Sequence, residues 1–138
     1  MALLNILQLP PFTSMTFSVP NNSDWLDAIA FRDVSNTLAL DLTGISFYAH
    51  LRPSVGSPIV YLDMSTDNGL LVNGGLGGLL SWKVPASMMS RIPISPTNSP
   101  YVMDILAIQA PNRVSLFPTG PAQVTVIQSV TLYKEPQI

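Results

Sequence analysis

The segment LDLTGISFYAHLR, residues 40–52, decides the fold class because its side chains alternate by character directly after a Thr-Gly turn signal. Alternation with a period of two residues is typical of a β-strand that buries one face. The segment therefore predicts a half-buried strand over residues 45–52. Its apolar face would carry Ile45, Phe47, Ala49 and Leu51, and its polar face Ser46, Tyr48, His50 and Arg52.

Similar short runs, separated by Gly, Pro, Asn and Asp, continue to the C-terminus. The run at residues 101–109 is apolar on both faces apart from Asp104, which predicts a central strand. Pro85 suits the first position of a helix and Pro93 stops it, so a single short helix is expected within residues 85–91. The other strands are predicted at residues 13–19, 25–32, 37–42, 59–65, 70–73, 79–84, 114–117 and 122–131.

About seven to nine short strands with frequent turn signals predict an all-β protein, a single immunoglobulin-like antiparallel β-sandwich with one short connecting helix. The sandwich is assigned to residues 21–138 and an extended N-terminal arm to residues 1–20. Period-two placement on separate strands predicts one shared core. Its expected members are Ile45, Phe47, Ala49, Leu51, Trp82, Val102, Leu106, Val124 and Val126.

The start of the chain is apolar and uncharged, and Pro10 and Pro11 disfavour a continuous helix there. An isolated tail of this kind would expose a large apolar area to water. We therefore expect the arm to stay extended and to pack on a neighbouring subunit or another protein. Its interaction residues would be Leu3, Leu4, Ile6, Leu7, Leu9 and Phe12.

The composition also points to a partner. Only 10% of the 138 residues are charged, against about a quarter in ordinary soluble domains, while 47% are hydrophobic. A surface with so few charges is expected to be partly covered, and this feature predicts a homo-oligomer. The net charge of −2 and the absence of a basic stripe argue against nucleic-acid binding. No run approaches the about 18 apolar residues of a membrane helix, and no signal peptide is recognisable, so a soluble protein made in the cytoplasm is expected.

No residue pattern predicts a catalytic, cofactor or metal site. Cysteine is absent, His50 is the only histidine, and no GxSxG elbow or HExxH spacing occurs. The glycine run at residues 73–78 lacks the Lys-Ser or Lys-Thr of a phosphate loop, so it is interpreted as a hairpin or bulge connection. The acidic pairs Asp24 with Asp27 and Asp63 with Asp67 are assigned to turns and caps.

Two binding hypotheses stay open for the aromatic and polar side chains. Five aromatic side chains are compatible with a platform that stacks on sugar rings: Trp25, Trp82, Tyr48, Tyr61 and Tyr101. Trp82, however, alternates with Leu80 and Val84 like a core residue. The polar face of the strand at residues 45–52 offers a second candidate surface. Its proposed binding residues are Tyr48, His50 and Arg52.

Several segments, taken in order, resemble a family of small virion proteins from tailed bacteriophages and prophages. These proteins have an immunoglobulin-like fold and are related in style to the N-terminal domains of baseplate upper proteins. The resemblance covers about residues 21–131 and leaves the arm outside. It rests on DW (24–25), LDLTGISF (40–47), GSP (56–58), LDMSTDNGL (62–70), VPA (84–86), YVMD (101–104) and LFPTGPAQVTV (116–126).

The resemblance implies a structural or adaptor role in a phage tail, baseplate or head-attached fibre, with other virion proteins as partners and no catalytic residues. The protein would be made in the bacterial host cytoplasm and end in the virion. Its matching residues are turn and core residues, which specify a fold better than a chemistry. The alternative function is a receptor-binding or carbohydrate-binding accessory domain on the exterior of the particle.

Overall fold

Across the described part of the chain, nine strands form two sheets that enclose one core, as the alternating sequence predicts. The structure is a computed structural model, and it describes residues 6, 9, 12, 15–33, 35, 37–95 and 100–128. The all-β sandwich prediction is confirmed. The strands are β1 (Thr16–Pro20), β2 (Ala28–Ala30), β3 (Ser46–Arg52), β4 (Leu62–Ser65), β5 (Leu71–Asn73), β6 (Leu79–Trp82), β7 (Tyr101–Gln109), β8 (Asn112–Ser115) and β9 (Ala122–Ile127).

The larger sheet has the order β1-β9-β7-β3-β4, and β8 also pairs with β7. The long strand β7 therefore has neighbours on both sides, which confirms its predicted central position. All pairings in this sheet are antiparallel except that of β1 with β9, which is parallel. The expected purely antiparallel sandwich is corrected at this one edge.

The smaller sheet has the order β2-β6-β5. The predicted strand at residues 25–32 is present only as β2, with isolated bridges from Trp25 to Val84 and from Arg32 to Ala39. The strand expected at residues 37–42 is reduced to that second bridge. Strand β6 is only four residues long, so its neighbours have few partners with which to extend a ladder.

Aromatic side chains join the two sheets. Trp25 and Trp82 stack with ring centroids 5.6 Å apart, and Phe17 of β1 contacts both rings. Both tryptophans are about 1% exposed, so the expected core position of Trp82 is confirmed. The interior is therefore a packed aromatic and aliphatic core shared by both sheets.

Two predicted core residues lie on the opposite face of their strand. Val102 and Leu106 of β7 are half-buried, whereas Tyr101, Met103 and Ile105 are buried. The apolar run of β7 fits either phase of a period-two pattern, and the phase predicted from the sequence is wrong. The other predicted core residues are all buried: Ile45, Phe47, Ala49, Leu51, Trp82, Val124 and Val126.

The N-terminal segment is part of the sandwich where the structure describes it. Strand β1 occupies a sheet edge, and Phe17 and Val19 on it are buried in the shared core. Ile6 and Leu9 are also buried, and Phe12 packs partly buried against the same core. Ile6, Leu9 and Phe12 were expected to contact another molecule; instead they pack on the core of their own chain. The sandwich therefore includes residues before the expected boundary at residue 21. Leu3, Leu4 and Leu7 lie outside the described residues.

The short connecting helix is present as α1 (Ala86–Met89), within the predicted range. A carboxylate oxygen of Asp24 accepts a hydrogen bond of 2.7 Å from the Ala86 N–H, which satisfies one of the unpaired donors at the helix start. Met89 is buried against the core. The helix therefore links the sheets without forming a layer of its own.

Candidate functional site

The outer face of the larger sheet carries a row of paired polar and apolar side chains. On β3 and β7 the register places three residues directly opposite three others, and all six point away from the core. Directly opposed residues on one face lie within side-chain contact distance. The sheet thus gathers side chains that are distant from one another in sequence. The pairs are Tyr48 with Leu106, His50 with Asp104, and Arg52 with Val102.

The three binding residues predicted from the sequence are brought together here. His50 Nε2 lies 3.2 Å from Asp63 Oδ1, and a guanidinium nitrogen of Arg52 lies 3.1 Å from His50 Nδ1. Because a guanidinium only donates hydrogen bonds, Nδ1 is the acceptor and Nε2 carries the proton directed at Asp63. Both ring nitrogens are therefore engaged, and the orientation of His50 and Arg52 is fixed by mutual contacts.

Tyr48 is held in a similar way by the turn that follows β4. Its hydroxyl donates a 2.6 Å hydrogen bond to Asp67 Oδ2. This hydrogen bond to the carboxylate, together with desolvation and the nearby negative charge, raises the pKa of the Tyr48 phenol above its ordinary value of 10.0. The ring is thus anchored at its polar end on the surface of the sheet.

Two loops form walls on either side of this row. Arg52 Nη1 donates a 3.0 Å hydrogen bond to the carbonyl of Ser57, which ties the loop after β3 to the strand. The second wall is the segment between β8 and β9, residues 117–121. The first wall consists of residues 54–56 in the loop after β3. The two walls and the strands between them border a cleft of about 580 Å³. We call it the polar cleft; its floor is Tyr48, His50, Arg52, Val102, Asp104 and Leu106.

Asp104 supplies the carboxylate of the polar cleft. Its Oδ1 accepts hydrogen bonds from Ser115 Oγ at 2.9 Å and from the Ile105 N–H at 2.8 Å. Within the described residues neither Asp104 nor Arg52 takes part in an ion pair. The cleft therefore contains one carboxylate and one guanidinium that retain hydrogen-bonding capacity.

The sequence did not identify Val102, Asp104, Leu106 or the wall at residues 117–121 as site residues. The signal that was available is Asp104, since an exposed carboxylate assigns residues two positions before and after it to the same outer face. That phase places Val102 and Leu106 beside the residues of β3.

The side chains on the floor of the polar cleft are held by contacts with one another and with neighbouring loops. A general base needs a free nitrogen within hydrogen-bond distance of the hydroxyl it activates. Both nitrogens of His50 are already engaged by Asp63 and Arg52. Among the described residues, no group of three His, Cys, Asp or Glu side chains is arranged to hold a metal ion.

The other candidates have structural roles. In the glycine run, the N–H groups of Gly74, Gly75, Gly77 and Gly78 all donate to oxygens of the same chain, so they do not present donors to an anion. The run links β5 to β6, as interpreted from the sequence. Asp27 accepts a hydrogen bond from the Trp25 indole.

The aromatic residues considered for a sugar-stacking platform do not form a common exposed surface. Trp25, Trp82 and Tyr101 are all buried, and the hydroxyl of Tyr101 donates to the Pro93 carbonyl. Among the tyrosines on described strands, Tyr48 is the one whose ring lies on the outer face of a sheet. A sugar-binding surface would therefore have to be the polar cleft, without the tryptophans.

A second surface feature lies on the opposite side of the sandwich. The outward residues of β2, β5 and β6 adjoin one another in the register, and none carries a charge. Leu26 and Leu76, which are 66% and 73% exposed, are found in the segments adjoining these strands. We call this surface the neutral face; it comprises Ala28, Ala30, Val72, Leu79 and Ser81.

Comparison of the sequence with protein-family models and with curated proteins finds no match. Within the described ranges, the structure contains no helix with the length and apolar character needed to span a membrane.

Proposed function

We propose that this protein is a non-enzymatic structural or adaptor component of a phage virion, part of the tail, the baseplate or a head-attached fibre. The observation that supports an assembly role is the neutral face. Val72 and Leu79 on it are each more than 40% exposed, and its five residues carry no charge. Contiguous exposed apolar surface of this kind is typical of protein interfaces.

The neutral face is suited to contact with a second copy of the same chain. In a two-fold symmetric contact every residue meets the same surface patch on its partner, so a charged patch would bring like charges together. A charge-free sheet face avoids that repulsion. The short strands β2 and β5 at its edges also leave backbone groups available beside the apolar surface. We therefore propose self-association through the neutral face, followed by contacts with other virion proteins.

The assignment to a virion rests on the sequence resemblance described above. The proposed location after assembly is the particle itself, with synthesis in the cytoplasm of the bacterial host. The low fraction of charged residues supports a position in which much of the surface is covered by neighbours.

The test is to place charges on the neutral face. We expect the double variant Val72→Asp, Leu79→Asp to be folded and monomeric, because association would bury the new carboxylates without partners. The wild-type protein should associate with increasing concentration in sedimentation velocity runs. In cells infected with a phage that encodes this chain, the variant should fail to enter particles.

Gln123→Asp is the matched control, since Gln123 is exposed on β9 on the other side of the sandwich. It should associate and enter particles like the wild type. Normal association of the Val72→Asp, Leu79→Asp variant would show that the neutral face is not the assembly surface. Particles that contain no copy of the wild-type chain would overturn the virion role.

A further inference from the structure

We infer that the polar cleft binds a neutral saccharide, a ligand role separate from assembly through the neutral face. The two sites lie on the outer faces of different sheets, so one molecule can use both at once. The inference rests on the charges, the apolar floor and the fixed geometry of the cleft.

The charges of the cleft select against ions of either sign. Arg52 and Asp104 lie at neighbouring register positions on its floor. An anion that approaches Arg52 is therefore repelled by Asp104, and a cation that approaches Asp104 is repelled by Arg52. Arg52 on β3 and Asp104 on β7 are diagonal neighbours across the strand pair, and residues in this relation lie about 7–8 Å apart. A guanidinium donor and a carboxylate acceptor at this spacing match hydroxyl groups of one sugar, each of which both donates and accepts.

Much of the remaining lining is apolar, which fits the faces of a sugar ring. Val102 and Leu106 form apolar floor positions, and Phe117, Pro118 and Pro121 contribute the second wall. A pyranose presents C–H groups on its faces and hydroxyls around its rim, so it satisfies both kinds of lining. The volume of about 580 Å³ lies within the range of about 300–1,000 Å³ found for small-molecule sites.

The polar side chains are already held in place before any ligand arrives. Arg52 is fixed by Ser57 and His50, and Tyr48 is fixed by Asp67. Binding to a preorganised site avoids much of the entropy that is lost when long side chains are ordered. Side chains held in this way are the arrangement expected of a recognition site.

An extended peptide is a poorer occupant. Peptides that bind to sheets add to a free edge, where they pair with backbone N–H and C=O groups. The cleft lies over β3 and β7, which both have strand neighbours on each side, so their backbone groups are already used in the ladders. On the floor of the cleft the ligand must therefore be recognised by side chains.

The experiment is saturation-transfer NMR on the full chain with a panel of free glucose, galactose, rhamnose, N-acetylglucosamine and their disaccharides at millimolar concentration. We expect transfer to at least one sugar. Affinity for that sugar should fall by about tenfold or more in Asp104→Asn and in Arg52→Gln, as expected when a hydrogen bond to a charged group is lost.

Arg113→Gln serves as the control, because Arg113 is exposed on β8 and does not line the cleft. Asp104→Asn keeps an oxygen that can accept the Ser115 bond, so it tests the site even if Arg52→Gln loosens the loop. All three variants should self-associate like the wild type, which separates this test from that of the assembly role.

Three results would overturn the inference. One is the absence of transfer to every sugar from folded wild-type protein. Another is equal affinity in Asp104→Asn and the wild type, which would place the sugar elsewhere. The last is competition in which free glycine or alanine displaces the sugar more strongly than other sugars do, since that would make the cleft a site for zwitterions.

Discussion

At the scale of single residues, the two stacked tryptophans differ in one hydrogen bond. The indole N–H of Trp25 donates to Asp27 at 2.7 Å, whereas the buried Trp82 N–H has no partner among the described residues. Both side chains are equally buried and belong to one cluster. A buried donor without a partner costs about 1–3 kcal/mol, so Trp82 contributes packing at the expense of one unsatisfied polar group.

This difference predicts the outcome of matched substitutions. Trp82→Ala should lower the free energy of unfolding by about 3–5 kcal/mol through loss of packing. Trp82→Phe should cost about 1–2 kcal/mol less than Trp25→Phe, because it removes an unpaired donor while the other change removes a formed bond. Chemical denaturation of the wild type and the three variants measures these values. An equal or larger loss for Trp82→Phe would mean that its N–H is satisfied in solution.

Tyr48 provides a second residue-scale prediction. Its pKa is raised by the hydrogen bond to Asp67, so Asp67→Asn should lower the Tyr48 pKa toward 10.0. Because the folded-state pKa lies above the unfolded value of about 10, this bond stabilises the fold fully below that pH. The contribution is lost as pH rises through the folded-state pKa. NMR titration of the tyrosine ring carbons, with Tyr48→Phe to assign the signal, tests the shift; an unchanged Tyr48 pKa in Asp67→Asn would exclude the bond.

Residue-level prediction from the sequence succeeded where alternation had only one possible phase. Strand β3 alternates between apolar and polar residues, so its buried and outward faces were both predicted correctly, and Tyr48, His50 and Arg52 share the outward face. Strand β7 is apolar at nearly every position, and its phase had to come from Asp104 alone. The exposed Asp104 sets the phase in which Val102 and Leu106 share the outer face of the sheet.

At the scale of elements, Gly78 fixes the approach of β6 to the segment after β2. Its φ is +68°, and a Cβ atom there would lie 2.8 Å from the Phe31 carbonyl oxygen and 2.9 Å from that of Leu40. Both contacts are with backbone, which cannot rotate away. Phe31 N–H in turn donates to the Gly78 carbonyl at 2.7 Å. The close approach therefore depends on the absence of a side chain.

We expect Gly78→Ala to lower the free energy of unfolding by at least about 2 kcal/mol, from overpacking and left-handed backbone strain. Gly77→Ala is the control in the same turn. A Cβ atom added to Gly77 would meet nothing within 4 Å, and its φ lies outside the left-handed region, so its substitution should change stability by less than about 1 kcal/mol. Thermal unfolding of both variants compares them directly, and equal midpoints would contradict the close approach.

Element boundaries were predictable where turn residues marked them and pairing partners were long enough. The range of β7 matches residues 101–109 because a Pro-rich loop precedes it and Pro111 follows it. The range 25–32 was too long because a strand continues only as far as its neighbours do, and that depends on residues remote in sequence. Likewise β8 begins at Asn112, two residues before the predicted range 114–117, because Asn112 pairs with Gln109.

At the scale of the whole molecule, the N-terminal segment completes the core. Ile6 is fully buried, and its N–H donates to the side-chain oxygen of Gln109 at 3.1 Å. The Phe12 N–H donates to the Leu116 carbonyl. Composition alone showed that these apolar residues had to be covered. It did not show whether the cover was another molecule or the same chain, because that depends on the shape of the assembled sheets.

Ile6→Ala should therefore lower the free energy of unfolding by about 2–5 kcal/mol, the range for a large aliphatic side chain removed from a core. Deletion of residues 1–11 should destabilise the protein as well, in contrast to the free arm expected from the sequence. Leu26→Ala is the control, since Leu26 is 66% exposed and its loss should cost about 0.5 kcal/mol or less. An Ile6→Ala protein as stable as the control would show that the segment does not join the core in solution.

The parallel pairing of β1 with β9 also determines how the protein responds to mechanical tension. The two strands lie near opposite ends of the described chain and share a register from Thr16 with Gln123 to Pro20 with Ile127. A pull applied through the two ends drags them along their lengths in opposite directions. The evenly spaced bonds of a parallel pair then resist together in shear, whereas a hairpin peeled from its open end yields one bond at a time. Tension through the chain ends would thus load the bonds between β1 and β9 in shear, the direction in which they resist together.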